Sequence, residues 1–480
     1  MTRSGPASII KQVKEVTMGI TFRRVVQHRL RLFALVVATG CLVTGSCDSD
    51  HLQPGDRTTP DHTGWSYNAS IYEVNVRQYS PGGTFREFQE HLPRLQEMGV
   101  GILWFMPIHP IGMINRKGSL GSYYSVRDYL DVNPEFGTLG DFKALVDTIH
   151  EMGMYVMIDW VANHTAWDNP LTVEHPDWYV HDEHGNFVPP VPDWWDVIQL
   201  DFTNAELREY MIEAMKFWVD EADIDGFRCD AAGMLPLDFW AAANAELKAL
   251  KPLLMLAEWE SPTAHEHGFD MTYALSLNYL TSSIVRGHAP ASAVGYQISY
   301  EVSAYPDGAY RMYYTSNHDE NSWNGTVFER LGDGVKAFAV LTAMLDGMPQ
   351  VYSGQEAGLD KRLRFFDKDE IVWGDYELGG FYTTLLNLKR QNEALWTGDR
   401  GGAVEWVHTS NDDAVFAFTR EKSGNKILVV LNLSAFEEEI TLLGTSHTGE
   451  YMDVFSSVAV TFEGEDQVIL PPWGYRIFAH

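Results

Sequence analysis

The stretch Met154-Tyr-Val-Met-Ile-Asp-Trp-Val-Ala-Asn-His164 decides the fold class. It begins with an apolar run typical of a short buried strand, and a carboxylate, Asp159, closes that run. Three later stretches repeat the arrangement, with buried runs that lead to Asp230, Glu258 and Asp319. Carboxylates at the ends of successive buried strands indicate one active site, assembled at the C-terminal face of a parallel barrel.

Strand-like and helix-like patterns alternate along the chain around this stretch, as a (β/α)8 barrel requires. Thr138 can cap a helix that runs to Met152. Predicted strands cover residues 70–77, 101–107, 155–160, 269–273 and 350–353, and predicted helices cover 85–98, 205–222, 237–250, 335–345 and 381–395. We therefore expect an α/β TIM barrel over residues 65–400.

Two regions depart from this alternation. Residues 163–204 are too long for a simple βα loop and predict a small inserted subdomain. After residue 400 the pattern is one of strands alone, clearest at 414–420, 426–433, 438–443 and 467–470. Ser423-Gly-Asn425 predicts a hairpin turn between the first two of these. Residues 401–480 are thus expected to form an antiparallel β-sandwich domain.

The N-terminal segment has the layout of an export signal. Just before the apolar run 32–43 lie Arg23, Arg24, Arg29 and Arg31, and the run is too short to span a membrane comfortably. Thr44-Gly-Ser-Cys47 resembles a bacterial lipoprotein cleavage site, so residues 1–47 are predicted to be a signal peptide with a lipid on Cys47. Cleavage at Cys41, or an ordinary signal cut near Ser46, are the alternatives. Residues 48–64 are a polar linker, and the protein is expected to be periplasmic or on the outer surface, otherwise secreted.

The charge of the chain indicates which classes of binding partner it suits. With 35 basic and 66 acidic residues the net charge is −31, which repels nucleic acid and anionic membranes and suits a neutral substrate. Contact with a membrane is expected only through a lipid on Cys47. Cys229 would be the only free thiol after processing, and its place in a strand predicts a small buried residue rather than a nucleophile.

The paired carboxylates suit cleavage of a glycosidic bond with retention of configuration, which needs two carboxyl groups about 5–5.5 Å apart. Asp230 and Glu258 are one strand-helix-strand step apart, which places them on neighbouring strands. Arg228 lies on the same face of the strand as Asp230 and is expected to lower its pKa. Glu258 follows an apolar run, so its pKa is expected to rise, as a general acid requires.

Other polar and aromatic residues near these carboxylates suit a sugar ring. Asp319 can bind hydroxyl groups more tightly as charge develops on the ring, and His164 and His318 are suitable hydrogen-bond donors. Four tryptophans near the same segments are candidates for sugar stacking, with core packing as the alternative: Trp160, Trp194, Trp195 and Trp259.

Together and in this order, the four segments resemble the signature regions of the alpha-amylase family, glycoside hydrolase family 13. The resemblance runs from about Ile71 to the end of the chain and includes the stretches 101–107, 199–202 and 350–356. It implies that Asp230 is the nucleophile, Glu258 the acid/base and Asp319 the transition-state stabiliser. The further residues it assigns to substrate binding or to orientation of the arginine are Tyr124, Asp159, His164, Arg228 and His318.

Calcium is a further expectation from the resemblance. Many family members bind Ca²⁺ through residues that match Asn163 and Asp201, and oxygen ligands of this kind suit calcium. The alternative is that both residues only hydrogen-bond the loop. Residues 231–234 (Ala-Ala-Gly-Met) lack the Lys-His pair of many alpha-amylases, which weakens both the calcium prediction and strict endo-hydrolysis of starch.

The function expected from these observations is retaining hydrolysis of α-1,4-glucosidic bonds in starch or maltodextrins. Three alternatives remain open from the sequence: an α-glucan transglycosylase, a cyclodextrin- or oligosaccharide-specific hydrolase, and a non-catalytic glycan-binding lipoprotein. No organic cofactor is expected.

Overall fold

The structure is a computed structural model, and it describes residues 62–480. The predicted signal peptide with its lipidated Cys47, and nearly all of the linker, lie outside the described residues, so these stay predictions. Over residues 62–480, no helix combines the length and the apolar character needed to cross a bilayer.

Eighteen strands and thirteen helices build the described part of the chain. The strands are β1 (Ile71–Val74), β2 (Ile102–Phe105), β3 (Tyr155–Trp160), β4 (His164–Ala166), β5 (Val197–Gln199), β6 (Gly226–Cys229), β7 (Leu254–Ala257), β8 (Met271–Tyr273), β9 (Tyr310–Tyr314), β10 (Met348–Tyr352), β11 (Glu405–Val407), β12 (Val415–Lys422), β13 (Asn425–Asn432), β14 (Glu438–Thr441), β15 (Gly449–Asp453), β16 (Ala459–Phe462), β17 (Gln467–Leu470) and β18 (Tyr475–Ala479). The helices are α1 (Val76–Tyr79), α2 (Phe85–Gln89), α3 (Leu92–Met98), α4 (Leu139–Glu151), α5 (Leu171–Glu174), α6 (Ala205–Ala222), α7 (Leu237–Leu250), α8 (Pro262–Glu266), α9 (Leu275–Val285), α10 (Ser292–Ala304), α11 (Val327–Leu331), α12 (Val335–Met344) and α13 (Gly379–Gln391).

Eight parallel strands close into a barrel in the order β1-β10-β9-β8-β7-β6-β3-β2, which confirms the predicted TIM barrel. The barrel strands are apolar almost throughout because both of their faces are buried. In β2, for example, Ile102 and Trp104 point into the barrel interior, whereas Leu103 and Phe105 pack in the layer between strands and helices.

Several predicted helices fit closely. Helix α4 starts at a capping box, in which the Thr138 side chain accepts from the Asp141 backbone N–H and the Asp141 carboxylate accepts from the Thr138 N–H. Helices α6 and α7 occupy the predicted residues 205–222 and 237–250.

Two predictions near the start of the barrel were wrong in extent. The first strand was predicted over residues 70–77 but ends at Val74, where α1 begins. The helix predicted over 85–98 is two helices, α2 and α3, that meet at Glu90 and His91. Pro93 lies in the first turn of α3, where its missing N–H costs nothing, and it would interrupt a continuous helix.

The segment after β3 carries a small antiparallel ribbon in place of a simple loop. Strand β4 pairs with β5, and His164 is opposite Gln199 in the register. The short helix α5 and a turn at Pro176–Trp178 lie between the two strands. The ribbon fixes His164 beside the C-terminal end of β3.

The predicted C-terminal antiparallel β domain is confirmed. A six-stranded sheet, β11-β12-β13-β18-β15-β16, faces a two-stranded sheet of β14 and β17. In β13, Val429 packs toward the barrel helices, whereas Val430 faces a second cluster that includes Ile440 of β14. At the predicted hairpin turn Ser423 and Gly424 both have positive φ, 51° and 85°, as a two-residue type I′ turn requires.

Candidate active site

The predicted catalytic residues lie at the C-terminal ends of neighbouring barrel strands. Asp159 is near the end of β3 and pairs in register with Arg228 of β6. Asp230 follows β6 directly, and Glu258 follows β7 directly. Asp319 follows β9. Since all these strands are parallel, their C-terminal ends meet at one face of the barrel.

Arg228 contacts three carboxylates of the site. Its side chain is fully buried, and Nη1 donates to Asp159 Oδ1 at 2.8 Å and to Asp230 Oδ1 at 2.9 Å. Nη2 pairs with Glu258 Oε1 at 2.8 Å, and Nε donates to the Tyr273 hydroxyl at 3.1 Å. One guanidinium therefore holds three carboxylates, which places the Asp230 and Glu258 carboxyl groups side by side.

The balance of charge around Arg228 sets the protonation of these carboxyl groups. Burial raises the pKa of Asp230 to about 6, an effect that Arg228 opposes and the Asp159 charge reinforces. The sequence-based prediction that Arg228 leaves Asp230 with a lowered pKa was wrong in its net direction, because burial and a second carboxylate outweigh the guanidinium.

Glu258 has the higher pKa of the pair. Burial raises it to about 7 against the opposing effect of Arg228, and the charges of Asp230 and Asp319 add to the rise. The predicted direction is thus confirmed. Glu258 Oε2 also accepts from the backbone N–H of Ala231 at 2.7 Å. Ala231 has φ 44°, which is unusual for a residue with a side chain, so the backbone is strained where it orients Glu258.

A second buried chain of hydrogen bonds crosses the barrel mouth from β1 to β3. His318 Nδ1 donates to the Glu73 carboxylate, and Nε2 lies 2.8 Å from the Tyr124 hydroxyl, which donates to Asp159 Oδ2 at 3.0 Å. Burial opposes a charge on His318, but Asp319 and Glu73 outweigh it and raise its pKa to about 9. His318 is therefore an imidazolium at neutral pH and donates from both ring nitrogens.

Glu73 was not predicted to belong to the site. It is fully buried in β1, and its Oε2 accepts from Gln350 Nε2 at 2.7 Å. An acidic residue inside the otherwise apolar run Ile71-Tyr-Glu-Val74 was a usable signal, because a carboxylate is seldom fully buried without a partner. Its partner His318 is 245 residues away along the chain, so local sequence patterns could not predict the pairing.

Asp319 is the most open of the three predicted catalytic carboxylates, with 43% of its side chain exposed. It accepts from the Trp323 ring N–H at 3.1 Å and lies 3.5 Å from His318 Nε2. Trp323 is itself 47% exposed. A carboxylate with one fixed donor and one open side can still bind hydroxyl groups of a ligand.

The structure places the remaining predicted sugar-binding residues around this centre. The Tyr124 ring stacks on His318, with centroids 5.4 Å apart and planes at 21°. Burial lowers the pKa of His164 to about 4, so this ring is neutral, and it lies 5.5 Å from the exposed Trp194. Trp259 is half-buried and covers Gly233, where any Cβ would clash with the indole.

Of the other predicted sugar-stacking tryptophans, Trp160 is buried and Trp195 is exposed. Trp160 was a candidate sugar-stacking surface, and this was wrong: its side chain is 0% exposed and packs beside His109 and Tyr129, because it points from β3 toward the helix layer. Trp195 is 49% exposed, with the Lys117 ammonium 5.2 Å from its ring.

The two residues predicted to bind calcium are already engaged with the chain. Asp201 Oδ1 accepts from the backbone N–H and the hydroxyl of Thr203, and Asn163 Nδ2 donates to His164 Nδ1. Over residues 62–480, no three His, Cys, Asp or Glu side chains cluster as metal ligands would. Calcium binding stays a prediction.

Family models match nearly all of the described chain. The model of the alpha-amylase catalytic domain matches residues 55–198 and 178–426, and the model of the maltogenic amylase C-terminal domain matches residues 404–477. The matched ranges therefore include the barrel, the ribbon and the C-terminal sheets.

Relatives found by sequence include two amylases. Alpha-amylase MalA of Haloarcula japonica is 26% identical over 82% of this chain and 60% of its own length. The maltogenic alpha-amylase of Bacillus acidopullulyticus is 27% identical over 75% of this chain and 64% of its own. The chain thus spans somewhat under two thirds of the length of these relatives.

Solved structures are similar along nearly their whole length. The maltogenic alpha-amylase AmyB of Thermotoga neapolitana matches with a TM-score of 0.79 and 31% identity, over 86% of this chain and 98% of that one. An alpha-amylase of Lactobacillus plantarum matches with a TM-score of 0.77 and 29% identity, over 86% and 99%. With both family models matched, the chain belongs to the alpha-amylase family, glycoside hydrolase family 13.

Proposed function

We propose that the protein is a retaining hydrolase of α-1,4-glucosidic bonds in starch or maltodextrins. The observation that carries the proposal is the arrangement around Arg228, which holds the Asp230 and Glu258 carboxyl groups on one guanidinium. Asp230 is buried, Glu258 is a quarter exposed, and Glu258 has the higher pKa, so the first proton resides on Glu258. That leaves a nucleophile and an acid next to each other.

The first step forms a glycosyl-enzyme intermediate. An Asp230 carboxylate oxygen attacks the anomeric carbon while the Glu258 proton moves to the glycosidic oxygen, so the bond to the leaving sugar breaks as the bond to Asp230 forms. Arg228 balances the charge on the attacking carboxylate. The Ala231 N–H holds Glu258 toward the leaving group.

The second step returns the enzyme to its starting state. Glu258, now ionised, takes a proton from water, and the water oxygen attacks the anomeric carbon and displaces Asp230. Two inversions leave the product with the configuration of the substrate. A sugar hydroxyl in place of water would give transfer, so the same site supports transglycosylation.

The open carboxylate of Asp319 suits the transition state. Positive charge develops on the sugar ring, and Asp319 is a fixed negative group that faces the cleft. The buried Tyr124 lies beside His318, and its hydroxyl joins His318 to Asp159 at the floor of the site. Interactions such as that of Asp319 with the ring strengthen as the reaction proceeds and so raise kcat.

The names of the relatives leave the preferred substrate open within the family. They include a cyclomaltodextrinase of a Bacillus species and an alpha-1,4-glucan:maltose-1-phosphate maltosyltransferase of Picrophilus torridus. We take starch and maltodextrins as the substrate because α-amylases and maltogenic amylases stand among both the relatives and the solved structures.

Export with a lipid on Cys47 is the cellular part of the proposal. It rests on the arginine-rich segment, the apolar run 32–43 and the stretch Thr44-Gly-Ser-Cys47. Metabolic labelling with a radioactive fatty acid tests it: label on the native chain and none on Cys47→Ser supports a lipoprotein, and equal label on both contradicts it.

Product analysis tests the catalytic part. The full chain is incubated with soluble starch, maltoheptaose or β-cyclodextrin, with Asp230→Ala as control, and the anomer first released is followed by NMR. We expect short maltooligosaccharides in the α configuration, absent with the variant. Release of the β anomer first, or near-normal turnover by Asp230→Ala, would overturn the mechanism. Products from cyclodextrin alone would transfer the assignment to a cyclodextrinase.

A further inference from the structure

A groove of about 460 Å³ runs between α9 and α10 on the outside of the barrel. Its walls carry two tyrosines, Tyr279 of α9 and Tyr296 of α10, which are 49% and 69% exposed. Ser276, Ser283 and Gln297 also line the groove; their side chains donate within the chain, and their oxygens can still accept from a ligand. Flat rings with neighbouring hydroxyl and amide groups suit a neutral polyhydroxylated ligand, which has apolar ring faces and a polar rim.

One end of the groove lies near the catalytic centre, beside Glu260. The backbone N–H and the hydroxyl of Ser276 donate to Glu260 Oε2 at 2.8 and 2.7 Å, and Glu260 stands two residues after Glu258. Arg311 pairs with the other Glu260 oxygen at 2.6 Å, so this junction is fixed. Next to Tyr279 on α9, Asn278 Nδ2 donates to Glu320 Oε1 at 3.0 Å, and Glu320 directly follows Asp319.

The other end of the groove is held by the C-terminal domain. The Tyr296 ring meets the Trp406 ring edge to face, with centroids 5.5 Å apart and planes at 86°. Gly295 makes this contact possible, because a Cβ there would lie 2.4 Å from the indole. A glycine inside a helix costs about 0.5–1 kcal/mol, so the approach of Trp406 is a specific feature that orients Tyr296.

The position of the groove indicates which part of the substrate it would bind. Glu258 protonates the leaving sugar, so a surface that continues from the Glu258 side of the cleft faces the leaving-group part of the substrate. From Ser276 to Ser283 it extends roughly 10 Å along α9, at 1.5 Å per residue, which is longer than one sugar ring. Two exposed tyrosines along that length can each offer a ring face to a sugar.

We propose that the α9–α10 groove binds the leaving-group side of a long α-glucan chain through Tyr279 and Tyr296, and so favours polymeric over short substrates. This inference rests on the proposed function. It adds a binding surface outside the catalytic centre and predicts that chain length is sensed there.

Steady-state kinetics of Tyr296→Ala on soluble starch and on maltotriose test the proposal. Stacking of one aromatic ring contributes about 0.5–1.5 kcal/mol, or roughly two- to tenfold in affinity. We expect kcat/KM for starch to fall by about that factor through a higher KM, with a smaller change for maltotriose. Retardation of the full chain in an amylose-containing native gel should fall in parallel.

Tyr300→Ala is the matched control, because Tyr300 lies one turn further along α10, is 61% exposed and does not line the groove. It should keep the starch-to-maltotriose ratio of the native chain. Tyr296→Leu retains an apolar contact with Trp406 but offers no flat ring, so it supplies a folded variant if alanine destabilises the helix.

The outcomes separate this inference from the proposed function. If the native chain hydrolyses both substrates and Tyr296→Ala and Tyr296→Leu keep the native ratio, the groove does not bind glucan and the catalytic proposal stands. Equal losses in Tyr296→Ala and Tyr300→Ala would also overturn the inference. If the native chain hydrolyses no glucan, the proposed function fails first, and native-gel retardation by amylose still reports on the groove.

Discussion

Replacing Glu73 with glutamine isolates the charge that keeps His318 protonated. The side chain keeps its shape, its oxygen can still accept from His318 Nδ1, and the new amide N–H can donate to Gln350 Oε1, which has no hydrogen-bond partner now. This exchange requires the Gln350 amide to turn over, since its Nε2 now donates to Glu73 Oε2, and the number of hydrogen bonds is then kept while the negative charge is lost. The variant therefore tests electrostatics with little change in packing.

The expected magnitude follows from the hydrogen bond. A bond to a charged group contributes about 1.5–3 kcal/mol, and the variant keeps the charged donor but loses the charged acceptor. We therefore expect a loss of about half of the upper value, roughly 1.4 kcal/mol, which is about one pKa unit. The pKa of His318 should thus fall from about 9 toward about 8. The rest of the rise above the ordinary value comes mainly from Asp319.

The sign of the pH dependence is fixed by linkage. The folded-state pKa of His318 is raised above its unfolded value, so its stabilising contribution is complete below about pH 6.5 and is lost as the pH rises through about 9. Glu73→Gln should therefore be less stable than the native chain by roughly 1.4 kcal/mol at pH 6. At pH 10, where His318 is neutral in both proteins, the difference should shrink toward zero.

Urea unfolding of both proteins at pH 6 and pH 10 measures this difference. Glu439→Gln is the matched control, since Glu439 is exposed on β14 and should change stability little at either pH. A loss of stability by Glu73→Gln that is equal at pH 6 and pH 10 would refute the reasoning, because it would show packing rather than the charge on His318 at work.

Three further predictions concern the acid, a helix cap and the metal. Glu258→Gln should lower kcat by about 10²–10⁴-fold and leave maltodextrin binding, measured by calorimetry, largely intact. The activity of the native chain should fall above about pH 7 as Glu258 ionises and below about pH 6 as Asp230 is protonated. If the variant still loses activity near pH 7 on the alkaline side, Glu258 is not the general acid. Thr138→Ala should cost about 1 kcal/mol because it removes the cap of α4, so the melting temperature should fall with kcat/KM unchanged, and an unchanged melting temperature would argue against the capping box. Chelation should lower the melting temperature if Asn163 and Asp201 bind Ca²⁺; added Ca²⁺ should restore it in the native chain and not in Asp201→Ala, and a native chain insensitive to chelator would contradict the calcium prediction.

Much of the barrel could be predicted because local sequence encodes it. Apolar runs bounded by turns mark the strands, and strong signals such as the Thr138 cap mark the helices. The predictions were weakest where a short-range feature interrupts a pattern, as at Pro93, which divides one apparent helix into two. Periodicity alone does not register such a break.

The sequence by itself also determined which groups stand at the active face, since Asp230, Glu258 and Asp319 end buried strands whose direction is common to the barrel. The apolar run before Glu258 also indicated its raised pKa, but only the tertiary structure decided the protonation of Asp230. The Asp230 pKa rises because burial and a neighbouring carboxylate outweigh Arg228, a balance set by distances across strands. Glu73 joins His318 and Tyr296 meets Trp406 for the same reason: electrostatic and packing energies depend on separation in space, and local sequence patterns do not specify that separation.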